Sequence, residues 1–266
     1  MKGQGLEGAG LDLLLAEAAE AARYLWEKGW AESNAGNISV DATEAVGAPE
    51  IGGGAVERLL APLVELGGRT FWVSAAGSRM RDLARAPRRH SGLLQLTPDG
   101  AGLAIIWAEQ GFRPTSELPS HLAIHAFLRR RCAPQKAIIH THPTELIALS
   151  HLPATSEEQL NRLLWRMIPE AMVSVPEGLG LVPFHLPGSQ QLAEATERAL
   201  GRHRVVLWEK HGALAIGSDP IEAFDLIDTL NKSAQLYLAC KAAGFAPRGL
   251  SEEQLAELRR VFLPRP

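Results

Sequence analysis

Cysteine is nearly missing from this chain: there are two in 266 residues, Cys132 and Cys240. Two thiols cannot build the disulfide framework of a small secreted protein, so a reducing compartment is the expected setting. Long apolar runs are missing too. The leucines at the start (Leu11, Leu13, Leu14, Leu15) are interrupted or followed by Asp12, Glu17 and Glu20, with no basic segment leading in. Neither a secretion signal nor a transmembrane helix is expected from such a pattern. A net charge of −3 provides no basic footprint for nucleic acid or a membrane surface. No Ser/Pro-rich linker, charge block or internal repeat divides the sequence. With 46% hydrophobic and 21% charged residues, it reads as one soluble, cytoplasmic globular domain over residues 1–266, long enough for a sizeable core.

The stretch Ala137-Ile-Ile-His140-Thr-His142-Pro143 carries the most chemistry. Its first residues have the character of a buried strand, and side chains alternate faces along a strand, so His140 and His142 share one face. Two imidazoles at that spacing can grip a divalent metal, but a catalytic zinc usually has three protein ligands and an open position. His211, in the turn Glu209-Lys210-His211-Gly212 between two strand-like runs, is the candidate third. A rival grouping is Glu117, His121 and His125, which recur at i, i+4 and i+8 and so fall on one helical stripe. Pro119 and the neighbouring leucines favour that stripe as a packed first turn, with Glu117 as a single active-site carboxylate. His90, His151, His185 and His203 have no partner spacing and read as structural or exposed.

The elements around these residues alternate in type. The apolar spacing predicts a helix over 11–28 ended by Gly29, a short strand at 38–40 after the turn-forming cluster 33–37, and a surface loop over 41–56. A helix over 56–66, broken or kinked at Pro62, comes next. A strand at 70–74 and a hairpin of 93–97 with 101–107 about Pro98-Asp-Gly100 follow. A helix over 116–131 with Ser116 as N-cap precedes the histidine strand, and Pro143 suits the first position of another helix. Further helices are expected from the capping box Ser156-Glu-Glu-Gln159, over 189–201, over 219–243 and from the second box Ser251-Glu-Glu-Gln254. Strands are expected at 171–175, 205–208 and 213–216, with a Gly/Pro-rich loop over 176–188. The fold class is therefore α/β: a central, mostly antiparallel or mixed sheet sandwiched by helices.

Several of these words together resemble the class II aldolase/adducin family. They are Glu32-Ser-Asn-Ala-Gly-Asn37, Thr115-Ser-Glu-Leu-Pro119, His140-Thr-His142, Leu207-Trp-Glu-Lys-His211-Gly212 and Leu226-Ile-Asp-Thr229 with Lys232-Ser-Ala-Gln235. The resemblance runs from about residue 17 to residue 260. It implies that His140, His142 and His211 are ligands of one Zn2+ per subunit, and that Glu117 is the carboxylate beside the metal. It implies a phosphate pocket lined by Asn34, Gly36, Asn37, Gly77 and Ser116. Glu170 matches an acidic residue that, in one branch of the family, enters the site from a neighbouring subunit of a homotetramer. One departure stands out: the family has a hydroxyl residue just before the pocket glycine, where this chain has Ala76. Ser74 and Ser78 are the nearest hydroxyls that could replace it.

The implied reaction is cleavage of a ketose 1-phosphate between C3 and C4 to dihydroxyacetone phosphate and an aldehyde, through a metal-stabilised enediolate. A Lewis acid polarises the C2 carbonyl, a base takes the C4 hydroxyl proton and an acid protonates the carbanion, roles assigned to Glu117 and Glu170. Backbone N–H groups in Gly-rich turns with short polar side chains suit a phosphate. Two alternatives stay open: another sugar-phosphate aldolase, epimerase or dehydratase of the family, and a non-catalytic adducin-like module. Three histidines with an open metal position weigh against the module. Zinc, cobalt and manganese all accept imidazole ligands.

Overall fold

The computed structural model describes residues 8–46, 55–153 and 156–263. The chain divides into two compact units, Met1–Thr141 with Ile216–Ala223 and His142–Ala215 with Phe224–Pro266. The architecture is mixed α/β, with ten α-helices and nine strands among the described residues. The strands are β1 (Asn37–Asp41), β2 (Val56–Arg58), β3 (Thr70–Ser74), β4 (Ser91–Leu96), β5 (Gly102–Ala108), β6 (Ala137–Thr141), β7 (Leu179–Val182), β8 (Val205–Trp208) and β9 (Gly212–Gly217). In the first unit they follow the order β2-β5-β4-β3-β1-β6, and in the second the order β9-β8-β7. The pairs from β2 to β6 are antiparallel, as is β8 with β9, whereas β7 and β8 run parallel.

In the first unit, helix α1 (Ala9–Glu27) buries Leu11, Leu14, Leu15, Ala18, Ala21, Ala22 and Leu25 at helical spacing. Gly29, at a left-handed φ of 73°, ends it. The Gly29 N–H then bonds the Trp26 carbonyl and the Trp30 N–H the Leu25 carbonyl, the two bonds of a Schellman cap. Thr43–Val46 forms the single turn α2, and Met80–Arg85 forms α3, which packs on α1. Of the loop expected over 41–56, residues 47–54 lie outside the described residues.

Helix α4 (Leu118–Arg130) organises the unit's interior. Leu118, Leu122 and Ala126, one turn apart, pack into a core with Phe71 and Val73 of β3, Leu94 and Leu96 of β4, Leu103 of β5 and Leu66. Burying each leucine contributes about 1.5–3 kcal/mol, so this stripe fixes the helix axis over the sheet. The adjoining stripe, Glu117, His121 and His125, is thereby turned onto β1. Ser116 does not cap the helix; Glu117 occupies the N-cap position and Pro119 lies in the first turn.

In the second unit, helices α5 (Thr144–Leu149), α6 (Glu157–Trp165), α7 (Pro169–Ser174), α8 (Gln190–Leu200), α9 (Pro220–Ala242) and α10 (Glu252–Phe262) accompany β7–β9. Both expected capping boxes are present, with Ser156 accepting from Gln159 N and Ser251 from Gln254 N. Pro143 is the N-cap of α5 rather than its first residue.

Three expectations about element type are overturned here. Residues 56–66 hold no α-helix: Val56–Arg58 is the strand β2 paired to β5, and only Val64–Leu66 is helical, as one 3-10 turn. Pro62 forbids a continuous helix, and the edge of β5 offers the backbone ahead of it ready partners. Residues 171–175 hold no strand: α7 occupies 171–174 and Val175 is its C-cap, with Pro169 at the helix start and Glu170 in its first turn, the positions that proline and acidic residues favour. The loop over 176–188 contains β7, whose partner β8 is parallel and distant in sequence.

Thr141 ends β6 on the face opposite His140, and its hydroxyl donates to the Trp30 carbonyl at 2.7 Å in a fully buried setting. Thr141→Val keeps the shape and removes that donor. Urea unfolding should show a loss of about 1–2 kcal/mol; an unchanged midpoint would mean that this bond does not anchor the strand.

Candidate metal centre

Antiparallel pairing sets Asn37 of β1 opposite His140 of β6, with Ile38 opposite Ile139 and Ser39 opposite Ile138. Directly paired residues project to the same side, so Asn37, Ser39 and His140 share the face covered by α4. Gly36 makes this pairing possible: it takes a left-handed φ of 79°, and a Cβ there would stand 3.2 Å from the His140 carbonyl. On that face Asn37 Nδ2 donates to Glu117 Oε2 at 2.9 Å, and Glu117 Oε1 lies 3.9 Å from His140 Nε2. The segment leading to Glu117 is strapped to the end of β3. Pro114 bridges Ala75, Thr115 N bonds the Ser74 carbonyl, and Glu117 N bonds Thr115 Oγ1.

His142 follows β6 directly and precedes α5, whose first turn is held by Asn231 of α9. Asn231 Oδ1 accepts from Leu146 N at 3.1 Å, and its Nδ2 donates to Glu145 at 2.8 Å. His211 ends the connection between β8 and β9, where Lys210 takes a φ of 60° and its N–H bonds Ser150 Oγ. The His211 ring stacks on Trp208 at 5.1 Å between centroids and lies 5.5 Å from the His142 ring. The Trp208 indole N–H in turn bonds Thr196 Oγ1 at 2.9 Å, which locks the stacking platform. One nitrogen each from His140, His142 and His211 comes within 4.8 Å of the others, the spacing of a group that could hold a metal ion. Three neutral imidazoles suit a divalent ion of borderline softness and leave a coordination position open for substrate.

The rival stripe has a different occupation. His121 Nε2 bonds Asn37 Oδ1 at 2.5 Å, its Nδ1 bonds Ser39 Oγ at 2.6 Å, and Ser39 Oγ bonds His125 Nε2 at 2.9 Å. Both rings are buried, and burial lowers each pKa to about 3, so both are neutral. They form a hydrogen-bonded file; among the described residues the only candidate metal group is the His140/His142/His211 set.

The remaining residues singled out in the sequence sit as follows. Asn34 is exposed in the turn before β1, Gly77 is exposed at a φ of 74°, and Ser116 is exposed beside Glu117. Of the hydroxyls flanking Ala76, that of Ser74 accepts from Ile38 N and that of Ser78 pairs with His90 Nδ1. Glu170 is exposed in the first turn of α7 in the second unit. Sequence spacing missed Ser39, because nothing local ties a small strand residue to histidines more than eighty positions away.

The chain belongs to the class II aldolase and adducin family: the pattern described as Class II Aldolase and Adducin N-terminal domain matches residues 16–238. It is 46% identical to a rhamnulose-1-phosphate aldolase of Bacteroides thetaiotaomicron, covering 92% of this chain and 93% of that protein. A rhamnulose-1-phosphate aldolase of Shigella sonnei is 33% identical over 89% of each chain. Among solved structures, a sugar-phosphate aldolase from Thermotoga maritima matches with a TM-score of 0.78 at 33% identity, covering 90% of this chain and 99% of that one. Among the described residues no helix is long and apolar enough to cross a membrane.

The buried histidines give the fold an acid limit. Their pKa values fall from 6.5 to about 3 on folding, so between those values the unfolded chain binds more protons. Stability is then flat above about pH 6.5 and falls as the pH drops below it, by roughly 2 kcal/mol per histidine at pH 5. Urea unfolding of chelator-treated protein at pH 7 and pH 5 measures this. His125→Gln should flatten the decline by one histidine's share; an unchanged slope would contradict the neutral burial of His125.

Proposed function

We propose that the protein is a zinc-dependent aldolase, a lyase that cleaves L-rhamnulose 1-phosphate to dihydroxyacetone phosphate and L-lactaldehyde. The observation that carries this reading is the convergence of the His140, His142 and His211 imidazoles, with ligand atoms within 4.8 Å, where His140 also faces the Glu117 carboxylate. The likeness to rhamnulose-1-phosphate aldolases supports the choice of substrate. The protein would act in the cytoplasm in rhamnose degradation, as a homotetramer with its sites at subunit interfaces.

His140, His142 and His211 would hold the zinc ion through neutral ring nitrogens. Bound there, zinc supplies Lewis-acid polarisation of the substrate C2 carbonyl. Breaking the C3–C4 bond requires removal of the C4 hydroxyl proton and delivery of a proton to the carbon left behind, and Glu117 and Glu170 supply these two transfers. Glu117 is held for this by Asn37, which donates to one oxygen and leaves the other toward His140. The substrate phosphate is received by the turns carrying Asn34, Gly36, Asn37, Gly77 and Ser116. Asn37 spends its oxygen on His121 and one of its two amide N–H groups on Glu117, so its second N–H and the side chains of Asn34 and Ser116 are the donors offered to phosphate.

A coupled assay for dihydroxyacetone phosphate release from a panel of ketose 1-phosphates tests the reading. Chelation should abolish release, zinc should restore it, and L-rhamnulose 1-phosphate should give the highest kcat/KM. Faster release from L-fuculose 1-phosphate would reassign the substrate, and release that survives chelation would sink the metal-dependent mechanism. Glu117→Gln should keep zinc while kcat falls by roughly 100-fold or more; near-normal turnover would remove Glu117 from the chemistry.

Glu170 would serve a site on a neighbouring copy in a ring of subunits. Mixing Glu170→Ala with His142→Ala, each nearly inactive, should regenerate some intact sites and part of the activity. No recovery despite subunit exchange verified by mass would exclude the shared site.

A further inference from the structure

The file of groups behind Glu117 has a direction, and that direction follows from what each atom can donate. A carboxylate only accepts, so the Asn37 atom facing Glu117 Oε2 at 2.9 Å is the amide nitrogen. The Asn37 oxygen therefore faces His121 and needs a donor, which makes His121 Nε2 the protonated ring nitrogen at 2.5 Å. A neutral imidazole with Nε2–H has Nδ1 as an acceptor, so Ser39 Oγ–H must donate to it at 2.6 Å. The Ser39 oxygen then accepts from His125 Nε2–H at 2.9 Å. Every hydrogen bond points the same way: His125 to Ser39, to His121, to Asn37, to Glu117.

We propose that Ser39, His121 and His125 are positioning residues that fix the amide orientation of Asn37 and, through it, the aim of the Glu117 carboxylate. Three features support this. Ser39, His121 and His125 are at most 2% exposed, so water does not compete for their hydrogen bonds. The Phe71 ring lies 4.8 Å from that of His125, and the leucine stripe of α4 holds its backbone. The alternative polarity would also turn the Asn37 oxygen onto the carboxylate, acceptor against acceptor, and push Glu117 off its place beside His140. The catalytic part of the inference rests on the reading of Glu117 as a proton-transfer group; the polarity of the file does not.

The test pairs two substitutions of one residue. In His121→Gln the side-chain amide can still donate to Asn37 and accept from Ser39, whereas His121→Leu can do neither. For the zinc-loaded protein and L-rhamnulose 1-phosphate, His121→Leu should lower kcat by about 10- to 100-fold, as loss of supporting hydrogen bonds commonly does. KM and zinc per chain should stay within about twofold, and His121→Gln should recover most of kcat. Ser39→Ala, which removes one hydroxyl and adds no bulk, should lower kcat in the same way. Nitrogen-15 spectra of the imidazoles supply a readout independent of activity: His121 should be the Nε2–H form in the wild type, and in Ser39→Ala it should keep that form, because Asn37 still needs the donor, while its Nδ1 resonance moves to that of a ring nitrogen that has lost its hydroxyl donor. Unchanged kcat in His121→Leu, or His121→Gln no better than His121→Leu, would overturn the positioning role. An Nδ1–H form of His121 in the wild type would overturn the polarity and the inference with it. Absence of cleavage by the wild type would instead sink the aldolase reading and leave this inference to the nitrogen spectra alone.

Discussion

The register of β1 against β6 is the constraint on which the rest depends. With Asn37 opposite His140 and Ser39 opposite Ile138, the polar residues of β1 face α4 and its apolar residues face away. All three of those polar side chains find partners: Asn37 with Glu117 and His121, Ser39 with both buried histidines, and Asp41 with Arg69 and Thr43. A slip of one residue would send every side chain to the other face, leaving buried polar groups unpaired and Glu117 without its donor. Such a register is expensive to disturb, since each unpaired buried group costs roughly 1–3 kcal/mol. Both ends of the pairing are fixed, by Gly36 against the His140 carbonyl and by the Asp41 N–H donating to the Lys136 carbonyl at 2.8 Å.

Two neighbouring sets of histidines therefore meet different fates because of their surroundings. The His121 and His125 rings are engaged by the Ser39 hydroxyl, the Asn37 amide and the Phe71 ring, and burial keeps them neutral. His140, His142 and His211 bring one nitrogen each toward a common point, and His142 and His211 are only half-buried. Buried polar networks specify structure only when every member is satisfied. The file ending on Glu117 meets that condition, with the carboxylate 3.9 Å from His140.

Much of this was legible in the sequence, and the failures have physical causes. The two capping boxes, the hairpin of β4 and β5, and the long helices α1, α8 and α9 carry strong local signals, and they form within a residue or two of expectation. The period of two in His140-Thr-His142 and the turn at Lys210-His211 drew attention to three rings whose nitrogens lie within 4.8 Å of one another. Residues 171–175 misled because a short apolar run fits strand or helix equally well, and Pro169-Glu170 was the overlooked helix-start signal. β2 and β7 were illegible because each is a short strand defined by a partner far along the chain. The same holds for Ser39, whose partners in α4 no local pattern announces.

The central claim is that the proposed metal is held by three imidazoles and by no cysteine sulfur. X-ray absorption at the zinc edge of the zinc-loaded wild-type protein tests it most directly, because it counts imidazole scatterers and recognises sulfur. The account predicts three imidazole nitrogens completed by oxygen from water or substrate, with no sulfur. Two imidazoles or fewer, or any zinc–sulfur bond to Cys132 or Cys240, would contradict it.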